Sequence, residues 1–172
     1  SFNGNWHNQS GEFGGAITQL DVGSQVAVKK ILDIYASVAN VNFTEQASGD
    51  GDMAFRFEYI QNSVGGYAYL PGGGVGGNVT LDSQHGAIPN PGETHGDGFA
   101  FYAAIHEIGH AMGMYHPFGG GNGKTPLPTA ESVSGNTVMA YADGADISRA
   151  EVTGLMPYDI LLLQHKYGAN MN

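Results

Sequence analysis

Three histidines and one glutamate near the middle of the chain are spaced in a way that suits metal binding. His106 and His110 are four residues apart, so on a helix both imidazoles project from one face and can bind a single zinc ion. Glu107 can reach a metal-bound water but is poorly placed to bind the same ion. Gly113 can adopt a left-handed backbone conformation that ends the helix and returns the chain, making His116 a third ligand. Three protein ligands and an open fourth position are typical of a catalytic zinc.

The first two histidines alone would carry less weight, because their spacing also arises by chance on ordinary helices. The glycine and the third histidine, both at the offsets a zinc motif requires, argue against a chance arrangement on an ordinary helix. The preceding residues 98–105 are apolar and mostly free of helix breakers. They predict the first turns of a buried helix, which an internal metal site requires.

This motif, together with a methionine downstream of it, resembles the metzincin clan of zinc endopeptidases. Met139 and Tyr141 follow the third histidine in the manner of the clan's methionine-containing turn. The resemblance implies that Met139 packs beneath the zinc ligands. It makes Tyr141 a candidate fifth zinc ligand that swings away to stabilise the oxyanion. Pro117, directly after the third histidine, favours the serralysin branch of the clan.

Two further segments resemble serralysin catalytic domains. Residues 156–170 are similar to their C-terminal helix with its Tyr-Gly-Ala-Asn ending, and residues 38–45 to the junction between their first helix and the next strand. The resemblance implies that Asp159 lies beneath the methionine turn and holds backbone amides. The residues alone leave a simpler alternative, an acidic side chain favoured by the dipole at a helix start.

Residues 68–82 resemble the glycine-rich loop and following strand of the matrixins. Matrixins place two histidines of a structural zinc site in the flanking strands. Those positions hold Tyr67 and Thr80 in this chain, which argues against such a site. The loop is also a candidate Ca²⁺ site, because calcium takes several oxygen ligands in flexible geometry. The candidate calcium ligands are Gly74, Gly76, Asn78 and Asp82. A flexible surface loop is an equally good interpretation.

The predicted function is that of a secreted zinc-dependent metalloendopeptidase. Zn²⁺ would polarise the scissile carbonyl and lower the pKa of a bound water toward about 7, and Glu107 would take a proton from that water as the general base. The resemblance implies that the polypeptide substrate pairs with an edge strand. The residues expected there are Gly66, Tyr67, Ala68 and Tyr69. The alternative is a latent or non-catalytic extracellular module that binds zinc or calcium and has no need of Glu107.

Composition limits the class of protein. The 172 residues suffice for one domain with a core, and the formal net charge of -10 disfavours binding to nucleic acid or to anionic membranes. There is no cysteine, which excludes disulfides and a thiolate nucleophile, and no apolar run approaches the length of a membrane span. We expect an extracellular, bacterial, monomeric protein with polypeptide substrates and, as a candidate partner, a proteinaceous inhibitor.

The expected organisation is a single zinc metallopeptidase domain over residues 1–172. Its 28 glycines form none of the nine-residue calcium repeats that build the C-terminal β-roll of serralysins, and no propeptide segment is recognised. We therefore expect neither the β-roll nor the propeptide in this stretch of chain.

Hydrophobic periodicity predicts an α+β domain, and the resemblance implies that its fold is of the metzincin type. We expect a twisted, mostly parallel sheet of about five strands with an antiparallel edge strand, and three helices. The first helix is predicted over residues 24–39 with Ser24 as its cap, and the last helix begins at Pro157. Strands are predicted at residues 41–44, 53–59, 66–70 and 79–82. For the first strand, residues 1–2 and residues 16–20 are both candidates.

Overall fold

The computed structural model describes residues 1–2, 10–46, 51–61, 65–93, 98–119 and 125–171. These residues form a mixed sheet and three α-helices around one core. The helices are α1 (Val22–Val38), α2 (Phe99–Ala111) and α3 (Pro157–Tyr167). The strands are β1 (Ile17–Thr18), β2 (Phe55–Glu58), β3 (Gly66–Ala68) and β4 (Val79–Asp82), and short 3₁₀ turns lie at Ser83–His85 and Arg149–Glu151.

The sheet has the strand order β1-β2-β4-β3. The central pair β2 and β4 is parallel, with Phe55 opposite Val79, while β1 and β3 are both antiparallel to their neighbours. The prediction of about five mostly parallel strands is therefore wrong in detail for the described residues, which contain four strands and one parallel pair. The mixed α+β architecture and the antiparallel edge strand are as predicted.

The strand predicted at residues 41–44 does not join the sheet. Both sides of β2 are already occupied, by β1 and by β4, so the segment has no central position to fill. The chain after α1 instead contacts the end of α3. Asn40 N–H donates to Gly168 O at 2.9 Å, and Ala39 forms an isolated bridge with Ala169.

Both candidates for the first strand lie against β2. Residues 17–18, within the second candidate, pair with it as β1. Ser1 lies beside the start of β2, where its carbonyl accepts from Phe55 N–H at 3.1 Å and its amino group donates to Met53 O at 2.6 Å. Only the second candidate supplies a strand, and that strand runs antiparallel to β2.

Helix α2 is buried between the sheet and α1. Eleven of its 13 residues are buried, because small and aliphatic residues occupy nearly every side of it. Tyr35 of α1 is fully buried, and its hydroxyl donates to the carbonyl of Ile105 at 2.7 Å. This contact fixes the middle of α2 against α1, directly before the first histidine of the motif.

The first helix begins two residues earlier than predicted, and its cap is Asp21 rather than Ser24. The carboxylate of Asp21 accepts from Ser24 N–H at 3.0 Å and from the Ser24 hydroxyl at 2.6 Å. Ser24 is itself buried and accepts from Ile88 N–H at 3.1 Å, so it ties the helix to the chain before α2. These hydrogen bonds lower the pKa of Asp21, the bond from the Ser24 hydroxyl most of all.

We expect Asp21→Ala to lower the free energy of unfolding by about 1 kcal/mol at pH 7, because an orphan helix donor loses its acceptor. Since the folded pKa is lowered from 3.8, the stabilisation by the ionised cap is present above that pH and is lost as pH falls through the folded pKa. Urea unfolding at pH 7 and near pH 3 would measure both effects.

The exposed Asp33, on the same helix, is the matched control. Asp33→Ala should change the unfolding free energy by less than about 0.5 kcal/mol. Equal losses from the two variants would contradict the capping role of Asp21.

Candidate metal centre

The three histidines of the motif converge on one point. His106 and His110 project from α2, and the turn after the helix brings His116 to face them. The Nε2 atom of His116 lies 3.2 Å from Nε2 of His106 and 3.0 Å from Nε2 of His110. Among the described residues, these three are the group of metal-ligating side chains close enough to share an ion.

Backbone carbonyls set the tautomer of two of these rings. His106 Nδ1–H donates to Val138 O at 2.7 Å, and His110 Nδ1–H donates to Met114 O at 2.9 Å. A carbonyl only accepts, so the proton must be on Nδ1, and each Nε2 carries a lone pair. Hydrogen bonds of this kind also hold the ring orientation of metal-binding histidines.

The donor set fits a zinc ion. Lone pairs of His106 and His110 both face His116 Nε2, an arrangement of acceptors that a shared cation satisfies. A tetrahedral ion with Zn–N bonds of about 2.0–2.1 Å would separate two ligand nitrogens by about 3.3 Å, near the observed spacing. Burial lowers the pKa of His106 to about 3 and of His116 to about 4, so both rings are neutral at pH 7, as metal binding requires.

Glu107 lies on the buried side of this centre, with 7% of its surface exposed. Its Oε2 atom is buried and has no hydrogen-bond partner among the described residues. Burial raises the pKa of this carboxyl to about 8. A buried carboxyl oxygen without a partner among the described residues, on the residue that follows His106, is available to a water molecule or a substrate group.

The turn that returns the chain from α2 depends on Gly113, as the sequence predicts. Its φ of 82° is in the left-handed region, and Gly113 N–H donates to His110 O at 2.8 Å. A Cβ at this position would lie 1.8 Å from Lys166 Nζ. Lys166 and Tyr167 of α3 donate to the carbonyl of Met112 at 3.0 and 2.8 Å, contacts that sequence reasoning missed.

Met139 packs beneath the ligands and is 1% exposed. Its sulfur lies where a side chain on Gly109 would be, because a Cβ built there would be 2.6 Å from Met139 Sδ and 3.1 Å from the hydroxyl of Tyr35. Gly109 was not singled out from the sequence. A glycine inside an otherwise strong helix pattern is the signal that could have identified it.

Asp159 connects the methionine turn to the start of α3. Its Oδ1 accepts from the Thr137 hydroxyl at 2.6 Å, and its Oδ2 accepts from Val138 N–H at 2.8 Å and from Met156 N–H at 2.9 Å. The side chain is 1% exposed, and burial raises its pKa to about 6 against the opposing effect of these bonds. The carbonyl of Val138 also accepts from His106, so Val138 links Asp159 directly to the first histidine of the motif.

Tyr141 lies beside the histidines and is 53% exposed. Its ring centroid is 4.6 Å from that of His116 and 5.5 Å from that of His106. Burial of its inner side raises the pKa of the hydroxyl, and the charge of Glu107 adds to the shift. Phe118, which sequence reasoning also missed, stacks on His116 at 4.9 Å and contacts Tyr141 at 4.8 Å.

The predicted substrate strand, Gly66 to Tyr69, forms β3 and the residue after it at the free edge of the sheet. Tyr69 N–H donates to Asn78 O and Asp82 N–H donates to Gly65 O, each at 3.0 Å. The odd-numbered residues therefore bond to β4, and the backbone groups of Gly66 and Ala68 point outward. A Cβ on Gly66 would lie 3.0 Å from Cγ of Glu107, so this edge passes directly beside the centre.

The four candidate calcium ligands are not brought together. Asn78 precedes β4 and Asp82 ends it, so the strand separates them by about 13 Å at its usual rise per residue. Asn78 Oδ1 accepts from Ala54 N–H at 2.9 Å, and Asp82 Oδ1 accepts from Ile60 and Gln84 N–H at 3.2 and 3.0 Å. Asn78 and Asp82 therefore lie too far apart to bind one ion together, while a calcium site in the loop stays a prediction.

Tyr67 and Thr80, which occupy the positions of the matrixin structural-zinc histidines, are hydrogen-bonded to Arg56. Arg56 Nε donates to Thr80 Oγ1 and its Nη2 donates to the Tyr67 hydroxyl, both at 3.0 Å. A guanidinium therefore lies between the two side chains, in keeping with the expectation of no structural zinc there.

Comparison with known proteins places this geometry in a family. The matrixin family model matches residues 18–121. The chain is 29% identical to metallopeptidase AprA of Pseudomonas marginalis over 171 residues, covering 90% of this chain and 36% of that protein. It is 32% identical to serralysin A of Dickeya chrysanthemi over 162 residues, covering 86% and 34%. Human matrix metalloproteinase-27 is 29% identical over 102 residues, covering 52% and 19%.

The chain thus spans about a third of the length of these two bacterial relatives, one of which is a metallopeptidase by name. The matrixin match covers more than half of the chain and includes all three histidines. This chain belongs to the matrixin family of peptidases and is a serralysin-like metzincin domain.

Proposed function

We propose that this domain hydrolyses internal peptide bonds of polypeptides, with zinc held by His106, His110 and His116. The observation that carries the proposal is a buried glutamate, directly after the first of three converging histidines, whose Oε2 has no partner among the described residues. A zinc site with a purely structural role has no use for a buried carboxylate that lacks a partner. The zinc, when bound, supplies a Lewis acid that polarises the scissile carbonyl and acidifies a bound water.

Glu107 acts as the general base and then as the acid. Burial raises the pKa of its carboxyl, and the positive charge of a bound zinc ion would lower that pKa again, so that the carboxylate form can take up a proton near neutral pH. It takes a proton from the attacking water at Oε2 and delivers it to the leaving nitrogen. The neighbouring edge strand covers one side of this side chain, because a Cβ built on Gly66 would lie 3.0 Å from Glu107 Cγ.

Tyr141 stabilises the developing oxyanion through its hydroxyl. Its ring stacks on His106 and makes an edge contact with His116, which holds the side chain beside the histidines, while its exposure leaves the hydroxyl free to move. A preorganised donor of this kind acts on the transition state more than on bound substrate.

The substrate binds in an extended conformation along β3. The outward backbone groups of Gly66 and Ala68 provide hydrogen bonds that are independent of side chains. An extended strand at this edge passes Glu107 on its way across the centre, which suits an endopeptidase that cleaves within a chain.

We further propose that the protein acts outside the cell as a monomer, with a proteinaceous inhibitor as a candidate partner. The similarity to bacterial serralysins supports this location. In the described ranges, no helix has the length and apolar character needed to cross a membrane.

Glu107→Gln should lower kcat/KM for unfolded casein by about 10³-fold, because an amide cannot accept the proton that a carboxylate takes. Zinc content, measured by metal analysis, should stay at the wild-type value, since Glu107 is not a ligand. Removal of zinc with a chelator should abolish wild-type activity, and added zinc should restore it.

The exposed Glu45, which pairs with Lys29 at 2.8 Å, provides the control. Glu45→Gln should keep wild-type activity. A zinc-loaded Glu107→Gln protein that retains more than about a tenth of the activity would rule out Glu107 as the base. Inactive wild-type protein with full zinc would instead favour the non-catalytic module.

Asp159→Asn should lower the free energy of unfolding by about 2–3 kcal/mol, because one side-chain oxygen cannot serve all three donors and the amide would face an N–H group. Zinc affinity should also fall, since Val138 orients His106. Urea unfolding and zinc competition would measure these losses. Asp146→Asn, at an exposed position after the methionine turn, is the control. If Asp159→Asn lowered the free energy of unfolding by less than about 1 kcal/mol, the role of Asp159 in holding the turn would be contradicted.

Tyr141→Phe keeps the ring contacts with His106 and His116 but removes the hydroxyl. We expect kcat to fall about 100-fold, with KM and zinc content little changed, because the hydroxyl acts on the transition state. The exposed Tyr115, next to the third histidine, is the control, and Tyr115→Phe should keep wild-type kcat. A rise in KM at unchanged kcat would assign Tyr141 to substrate binding instead.

A further inference from the structure

The face of the sheet opposite α2 carries polar and charged side chains that are fully buried. Arg56 and Glu58 of β2 and Thr80 of β4 are each 0% exposed. Side chains alternate along a strand, so these residues point away from Phe55 and Phe57, which belong to the core. Buried charged groups are tolerated only when they are paired and hydrogen-bonded, so the segment that covers this face must supply partners for them.

Residues 11–15, which we call the covering segment, lie directly on this face. A Cβ built on Gly11 would be 2.1 Å from the carboxyl carbon of Glu58. The N–H groups of Phe13 and Gly15 both donate to Glu58 Oε1, at 3.0 and 3.2 Å. The covering segment is therefore joined to β2 through one buried carboxylate.

The hydroxyl of Tyr67 joins the covering segment to the edge strand β3. It accepts from Glu12 N–H at 3.1 Å and from Arg56 Nη2 at 3.0 Å, and it donates to Glu58 Oε2 at 2.6 Å. A hydroxyl has one donor and two acceptor positions, so its full capacity is used. Because Tyr67 belongs to β3, displacement of the covering segment must disturb that strand.

Tyr69 makes a second connection on the same face. Its hydroxyl donates to Glu12 Oε1 at 2.5 Å, and the rings of Phe13 and Tyr67 lie 5.7 Å apart. The opposite face of β3 lies against Glu107 through Gly66. Since β3 pairs with β4 on one edge only, the covering segment holds it from the side opposite the proposed base.

We propose that the covering segment is a positioning element for the substrate. Through Tyr67 and Tyr69 it sets the place of β3, and thereby of an extended polypeptide paired with Gly66 and Ala68, relative to Glu107. This inference rests on the proposed function, because it assigns the covering segment a role at the same site. The segment does not touch the reacting atoms, so it governs polypeptide binding and leaves zinc content unaffected.

The test uses zinc-loaded protein carrying Glu107→Gln, which binds a labelled casein peptide without turning it over. Adding Tyr67→Phe should raise the Kd, measured by fluorescence anisotropy, about tenfold. The buried side chains of Arg56 and Glu58 lose their hydrogen bonds to the hydroxyl, and β3 shifts as a result. Hydrogen exchange at residues 66–69 should become faster in the same protein. Zinc content should stay unchanged.

Tyr59→Phe is the matched control, because Tyr59 follows β2 with its side chain 47% exposed. It should change neither Kd nor exchange. Tyr69→Phe breaks only the outer connection and should raise Kd about threefold. If Tyr67→Phe fails to fold, the Kd of the Tyr69→Phe variant tests the proposal instead.

The inference is overturned if both tyrosine variants bind the peptide as the control does, or if exchange rises while Kd stays constant. It is also overturned if the Glu107→Gln protein with an intact covering segment binds no peptide. Casein hydrolysis by the wild-type protein is measured in parallel. Absence of hydrolysis together with the expected changes in Kd would refute the proposed function and retain the positioning role.

Discussion

The structure depends on holding the Nε2 atom of His116 about 3 Å from those of His106 and His110, whose lone pairs face it. Without a shared cation this arrangement is repulsive, so the protein must impose it through rigid neighbours. The carbonyls of Val138 and Met114 do so for His106 and His110, because each fixes the proton on Nδ1. Both carbonyls belong to irregular chain, whose position is set by contacts elsewhere.

Those contacts come mainly from α3. Asp159 holds the turn that contains Val138, while Lys166 and Tyr167 bond to the carbonyl of Met112, two residues before Met114. One helix therefore braces both carbonyl-bearing segments, one near its start and one near its end. Two glycines allow these segments to lie close to α2. Gly113 supplies the left-handed turn, and Gly109 leaves room for the sulfur of Met139.

The edge strand β3 separates the centre from a buried polar network. On one face, Gly66 lies against Glu107; on the other, Tyr67 takes part in hydrogen bonds with Arg56 and Glu58. Where the matrixin resemblance would lead one to look for a zinc ion, a guanidinium and a hydroxyl connect the strands. Such a network is directional, and it extends to residues 11–15, so it can position the strand where substrate is proposed to bind.

The sequence alone predicted that the three histidines come together and that the chain turns at Gly113, because these follow from local spacing on a helix and its exit, whereas the family and the place of Met139 were implied by resemblance. It also predicted the two long helices and the strands at 53–59 and 79–82, since burial on a sheet leaves a clear period in the residues. Only the tertiary structure decided strand pairing, the cap at Asp21, and the separation of Asn78 from Asp82. It also decided the partners of Glu58, Tyr67, Gly109 and Lys166. Each of these features depends on contacts between segments that are distant in sequence. Local sequence patterns do not specify such contacts.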